Sequence, residues 1–375
     1  MKPLRMVDLE LERRFFGPRL ESAIEEVFQH TQYIKGPEVT RFAEELGQYL
    51  GGVHVIPCAN GTDALQLALM VLDLQPGDEV IVPAFTYVAT AEVAALLRLT
   101  VRWVDVSLES FNLLPEALEQ VWTPRVKAIV PVHLFGQVAP MGEVLNFAHS
   151  KGIAVIEDTA QALGADYIAY DGQTYKAGTM GDIGCTSFFP SKNLGCYGDG
   201  GAIFTRKAEV AARLARVANH GQDSLYEFSE VGVNSRLDSI QAAILRLKLP
   251  YLDEFNARRR AAAAVYDAYF SDISALQVPV RVPWSTHIYH QYTLRVLDGR
   301  RDALKAYLAE KGVPSMVYYP KPLHLQPAYF RPEYPSGSFP NAERLAREVL
   351  SLPMHPFLGE DQLAFIGEAV RSFFR

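Results

Sequence analysis

Glu79-Val80-Ile81-Val82-Pro83 is followed by a helix-compatible run at residues 88–97 and then by Val101-Arg102-Trp103-Val104-Asp105-Val106. Two further runs of the same kind, Ala128-Ile129-Val130-Pro131-Val132 and Ile153-Ala154-Val155-Ile156-Glu157, are spaced by candidate helices at 115–121 and 141–150. Short, mostly apolar runs rich in Val and Ile suit strands buried on both faces, and strands separated by helices suit parallel pairing through crossovers. The pattern holds from about residue 52 to 205 and predicts an α/β fold: a mostly parallel sheet covered by helices. After about residue 245 it changes to a long helical stretch (237–270), the strand Tyr292-Thr293-Leu294-Arg295-Val296, and amphipathic helices near 301–311 and 341–350. The expected division is a large domain over 1–245 and a smaller C-terminal α+β domain over 246–375.

Composition narrows the function. A net charge of −7 over 375 residues provides no basic field for nucleic acid. The densest basic run, Arg258-Arg259-Arg260, reads as a solvated helix face. Cys58, Cys185 and Cys196 lack the close pairing of zinc or redox sites, so no metal is expected and a reducing cytoplasm fits. The first ten residues carry no apolar leader core, and no run approaches the ~18 apolar residues of a membrane span. A soluble, cytoplasmic enzyme is therefore expected.

Ligands of open α/β sheets sit beyond the carboxyl ends of the strands, and three motifs fall there. Asn60-Gly61-Thr62-Asp63 opens an apolar helix, whose free first-turn amides and dipole attract an anion such as phosphate. Asn60 or Thr62 acting only as an N-cap is the plain alternative. Glu157-Asp158-Thr159-Ala160-Gln161 follows a buried strand. An acid there can keep a pyridine nitrogen protonated, and Gln161 can donate to a ring oxygen, whereas Glu157 is read as lying outside the site. Asp158 as a cap of a following helix is the structural alternative. The third motif is Thr186-Ser187-Phe188-Phe189-Pro190-Ser191-Lys192-Asn193-Leu194-Gly195, continuing to Gly198-Asp199-Gly200-Gly201. A lone lysine is usually a solvated surface residue. Lys192, between an apolar strand and a glycine-rich turn, is poorly hydrated, which lowers its pKa and frees the amine to attack an aldehyde.

The Lys192 segment resembles the Schiff-base segment of the DegT/DnrJ/EryC1/StrS sugar aminotransferases. Gly36-Pro37-Glu38-Val39-Thr40, Phe85-Thr86-Tyr87-Val88, His133-Leu134-Phe135-Gly136-Gln137, Asn219-His220-Gly221-Gln222 and Gly232-Val233-Asn234-Ser235-Arg236 match in order, so the resemblance covers most of the chain. It implies a fold-type-I transferase using pyridoxal 5'-phosphate, bound through a Schiff base to Lys192, in a homodimer with shared active sites. Gly61, Thr62 and Ser187 would hold the phosphate, together with Asn234 from the other subunit. Tyr87 would stack on the ring, and Asp158 and Gln161 would keep the roles argued above. Arg236 of the partner would bind a sugar carboxylate, with an ion pair to Asp238 or a neighbour as the structural alternative.

Within the family, residues 194–204 and 351–356 look most like enzymes that aminate UDP-2-acetamido-2-deoxy-3-oxo-D-glucuronate for surface polysaccharides such as lipopolysaccharide, with glutamate as donor. Those relatives place His-Tyr-Pro in the sugar pocket, where this chain has Tyr318-Tyr319-Pro320, with His324 nearby. Asn193 is a second departure from some relatives. Enzymes for dTDP- or UDP-linked 3-keto or 4-keto deoxysugars share most of the cofactor residues. A non-catalytic regulator on this fold, a nicotinamide oxidoreductase and a dehydratase branch with histidine in place of the lysine are the competing classes. Lys192, Asp158 and Gln161 together argue against the first and Lys192 against the last. The strand–GxGxxG–helix order that the oxidoreductase needs is missing from the sequence.

Overall fold

In a computed structural model of the chain, which describes residues 3–375, the N-terminal part opens with three helices, α1 (Leu9–Phe16), α2 (Pro18–His30) and α3 (Pro37–Tyr49). Strands β1 (His54–Cys58), β2 (Glu79–Pro83), β3 (Thr100–Val104), β4 (Val126–Ile129) and β5 (Ala154–Asp158) then alternate with α4 (Gly61–Met70), α5 (Ala89–Leu96), α6 (Leu118–Val121) and α7 (Met141–Lys151). A small hairpin, β6 (Asp166–Ile168) and β7 (Thr174–Lys176), precedes β8 (Ile183–Ser187) and β9 (Gly201–Thr205). Seven of these strands form one sheet in the order β1-β9-β8-β5-β4-β2-β3. Only β9 runs against the others, pairing antiparallel with β1 and β8. The carboxyl ends of β1, β2, β5 and β8 therefore open on the same edge, which brings together motifs more than a hundred residues apart in sequence.

The sheet is covered on both faces, as its apolar strands require. Leu65 and Leu67 of α4 and Val93 of α5 pack on one side, and Met141, Val144 and Phe147 of α7 on the other. Each such side chain contributes roughly 1.5–3 kcal/mol by leaving water. Next come α8 (Ala208–Val217), the hairpin β10 (Gln222–Ser224) and β11 (Glu227–Phe228), α9 (Ser239–Lys248) and α10 (Leu252–Phe270). A smaller antiparallel sheet follows, made of β12 (Leu276–Gln277), β13 (Tyr292–Val296) and β14 (Val349–Leu352), with α11 (Arg301–Glu310), α12 (Pro340–Glu348) and α13 (Glu360–Phe374).

Several local expectations are corrected. The single helix expected over 237–270 is two, because Pro250 lacks the N–H that a continuous ladder needs and a 3-10 turn at Leu249–Tyr251 separates them. The helix expected to reach 350 stops at Glu348, where Val349 turns extended and pairs with Arg295 of β13. Asp158 is the last residue of its strand rather than the one beyond it. Arg259 does not belong to a solvated face. It is 3% exposed, and its Nη1 donates to the carbonyls of Met354 at 2.9 Å and Tyr289 at 3.3 Å. It thereby pins α10 to the loop before β13. Leu252, early in α10, packs with Phe42 and Leu245, while Tyr266 and Phe270 belong to the core of the smaller sheet.

Candidate active site

At the shared edge lies a cavity of about 480 Å³. Its floor is Asp158, 6% exposed, whose Oδ1 accepts from the Ala160 N–H at 3.0 Å and whose Oδ2 accepts from the Thr90 hydroxyl at 3.1 Å. Burial pushes this carboxyl above its usual range, while Ala160, the Lys192 charge, Thr90 and His133 pull the other way. A buried carboxylate is costly unless a cation joins it, so the floor is built to meet a positive group. Glu157 points elsewhere, taking N–H donors from Gly178, Met180 and Gly181 and lying 2.8 Å from His133 Nε2. Alternation along the strand puts consecutive acids on opposite faces, which explains why one lines the cavity and the other does not.

Lys192 stands on the far side of the turn after β8, where its backbone N–H closes on the Phe189 carbonyl at 2.8 Å. Burial lowers its pKa to about 8, opposed by the Asp158 charge. Its amine is thus half free of its proton near pH 8, where a solvated lysine is still an ammonium.

A third wall is the start of α4. Asn60 caps α4 by accepting from the Asp63 N–H at 2.8 Å, and the Gly61 and Thr62 N–H groups start the helix with no carbonyl of their own helix to meet. The Ser187 side chain faces them so closely that a Cβ on Gly61 would lie 2.6 Å from Ser187 Cβ. The cap reading and the anion reading of this motif are thus compatible.

The mouth carries Tyr87, 54% exposed, with its ring 6.2 Å from Tyr319. Gln161 is oriented by accepting from the Phe135 N–H at 2.8 Å and donating to Tyr319 Oη at 3.1 Å, and Tyr318 lines the same wall.

Nine of the expected residues therefore meet in one cavity, and three do not. Asn234 is exposed and Arg236 half-buried, and neither lines the cavity. Arg236 makes no ion pair among the described residues, so the structural alternative of a bridge to Asp238 is not realised, and its charge acts on Lys35. His324 is corrected: it is fully buried, 3.2 Å from Glu343 Oε1 and edge-on to Phe339, and it lines no part of the cavity. Thr86, Thr90, His290 and Gln291 went unrecognised in the sequence. A signal existed for the last two in the polar run His287-Ile288-Tyr289-His290-Gln291 placed just before a buried strand.

Comparison with known proteins fits this geometry. The model of the DegT/DnrJ/EryC1/StrS aminotransferase family matches residues 17–371. The chain belongs to this family. It is 43% identical to the UDP-2-acetamido-2-deoxy-3-oxo-D-glucuronate aminotransferase of Pseudomonas aeruginosa, covering 98% of this chain and 100% of that one. It is 42% identical to a UDP-N-acetyl-3-dehydro-α-D-glucosamine 3-aminotransferase of Acidithiobacillus ferrooxidans, covering 98% and 96%. Among solved structures, S. venezuelae DesV in complex with a ketimine intermediate superposes with a TM-score of 0.95 at 38% identity, over 100% of this chain and 99% of that one. As a member of the DegT/DnrJ/EryC1/StrS family, the chain is an aminotransferase with the fold of these structures.

Proposed function

We propose that the chain moves an amino group from an amino acid, glutamate in our reading, to a nucleotide-linked keto sugar, with pyridoxal 5'-phosphate as cofactor. The observation that carries the proposal is the convergence, in one cavity, of a buried acid, a lysine of lowered pKa and an anion-ready helix end with a serine opposite. The residues fit the cofactor. Asp158 is a floor in want of a cation, Gly61 leaves a cradle that a Cβ would fill, and Tyr87 offers an open aromatic face. Pyridoxal phosphate, when bound, supplies an electron sink and carries the amino group between the two half-reactions.

The chain's own residues do the rest. Gly61, Thr62 and Ser187 bind the phosphate, Asp158 holds a proton on the ring nitrogen, and Gln161 keeps one N–H free for a ring oxygen. Tyr87 covers the ring. Lys192, free of its proton above about pH 8, takes the proton from the amino acid's Cα and returns it on the other side of the transfer. Retention of both Lys192 and Asp158 supports a catalyst over a regulator.

For the substrate, the likeness to the Pseudomonas aeruginosa enzyme supports UDP-2-acetamido-2-deoxy-3-oxo-D-glucuronate, and with it our reading assigns a role in bacterial surface polysaccharide synthesis. The two subunits of a homodimer would then share each site, one giving Asn234 to the phosphate and Arg236 to the uronate carboxylate, for which a guanidinium fork is the right shape. The Acidithiobacillus relative is named for UDP-N-acetyl-3-dehydro-α-D-glucosamine, a sugar without the uronate carboxylate, and Tyr318, where the uronate enzymes have histidine, weakens the uronate reading. Assay of 3-oxo uronate against neutral 3-keto and 4-keto sugar nucleotides, in the natural protein and in Arg236→Ala, separates them. A loss confined to the uronate supports the carboxylate clamp, and equal losses on all sugars contradict it.

A further inference from the structure

One wall of the cavity has no part in the chemistry above. His290 comes from the loop before β13, is 4% exposed and lines the cavity beside the Lys192 turn. Its Nδ1 lies 3.2 Å from Oδ1 of Asn193, the residue next to Lys192. The Asn193 amide nitrogen is committed in two directions, to Asn256 Oδ1 at 2.7 Å and to the Ile288 carbonyl at 3.3 Å. A carbonyl can only accept, so the amide cannot turn over, and its Oδ1 must be the acceptor toward His290. The imidazole proton therefore sits on Nδ1. Nε2 is left with a lone pair and no hydrogen-bond partner among the described residues. Gly136, at φ +104°, lets its loop close against the His290 backbone, where a Cβ would stand 2.8 Å from the His290 nitrogen, so the ring has little freedom to leave. Burial and the charges of Lys192 and Arg259 hold this histidine neutral, well below its ordinary range.

We propose that His290, fixed as the Nδ1–H tautomer by Asn193 and Asn256, is a substrate-binding residue whose Nε2 accepts one hydrogen bond from an O–H or N–H donor of the sugar. The inference rests on the sugar aminotransferase reading and deepens it. An acceptor with no proton is of no use to the carboxylates of glutamate, which are acceptors themselves, and the donor's amine is engaged at the reacting carbon. Hydroxyl and acetamido groups of a sugar do carry donors. His290 thus separates the two half-reactions: it serves the sugar and is indifferent to the amino acid.

The test uses the cofactor-loaded protein. Ring nitrogen chemical shifts of His290, read by NMR without substrate, should show a protonated Nδ1 and an unprotonated Nε2. His290→Phe should bind the nucleotide sugar roughly five- to tenfold more weakly by calorimetry, while the glutamate half-reaction changes less than about twofold. His290→Gln, which keeps an acceptor near the Nε2 position, should recover most of that binding. Asn193→Leu, which leaves the histidine but removes its lock, should give mixed tautomers and weaker sugar binding. A proton on Nε2, equal losses in both half-reactions, or no loss of sugar binding in His290→Phe overturns the proposal. Failure of every sugar nucleotide on the natural protein, with the tautomer as described, instead overturns the sugar reading alone.

Discussion

Burial sets the working pH of the central amine. With its pKa lowered to about 8, Lys192 is an ammonium below that value and a free nucleophile above it. The rate at which cofactor-stripped protein takes up pyridoxal phosphate should therefore rise with a midpoint near pH 8, not near the 10.5 of a solvated lysine. Lys192→Ala should lower amino transfer by about 10²–10⁴-fold, the usual worth of a positioned acid–base group, in a single-turnover assay. Asp158→Asn should leave the fold intact by circular dichroism and still slow the proton-transfer step at least ~10²-fold, because an amide cannot hold the ring nitrogen charged. That Lys192, Asp158 and Ser187 line one cavity was legible in the sequence because strand ends and glycine-rich turns are local signals. His290 was not, since its meaning comes from an amide chain reaching across 97 residues to Asn193, and His324 read as a pocket residue only until its burial against Glu343 was known.

Among the elements, α4 does most to shape the site. Its start is tuned to a single close approach, so Gly61→Ala should destabilise the protein by about 1–3 kcal/mol in urea titrations and weaken cofactor binding as well, since the added methyl would press on Ser187. Asn60→Ala should cost about 1 kcal/mol through loss of the cap. The buried parallel strands were readable as elements because their apolar runs are continuous: β2 falls where the run Glu79–Pro83 predicts it, while β3, β4 and β5 are shifted by one to three residues from theirs. Boundaries failed where a neighbour overrides periodicity: β14 continues an amphipathic pattern but is drawn extended by pairing with β13, and Arg259 looks solvated in sequence until carbonyls of two distant loops are seen to close on it.

For the molecule as a whole, the sheet order makes the cavity: β1, β2, β5 and β8 deliver the start of α4, Tyr87, Asp158 and the Lys192 turn to one edge. We propose that the large and small domains meet within α10, near the expected division at 245/246, since its first turn and its last serve different cores. Asn234 and Arg236 stay outside the cavity of their own chain, which is compatible with the shared dimeric site we propose. Mixing the inactive variants Lys192→Ala and Arg236→Ala, after dissociation and reassembly, should then restore about a quarter of natural activity on a uronate, because half the dimers are mixed and each of these holds one intact site. No recovery would place Arg236 outside the neighbouring site. The central claim, that Lys192 holds the cofactor, is tested most directly by reducing the loaded protein with borohydride and locating the pyridoxyl group by peptide mass spectrometry. The expected result is one modified peptide carrying the group on Lys192 and none from Lys192→Ala. A pyridoxyl group found on another lysine, with Lys192 unmodified, would contradict the account.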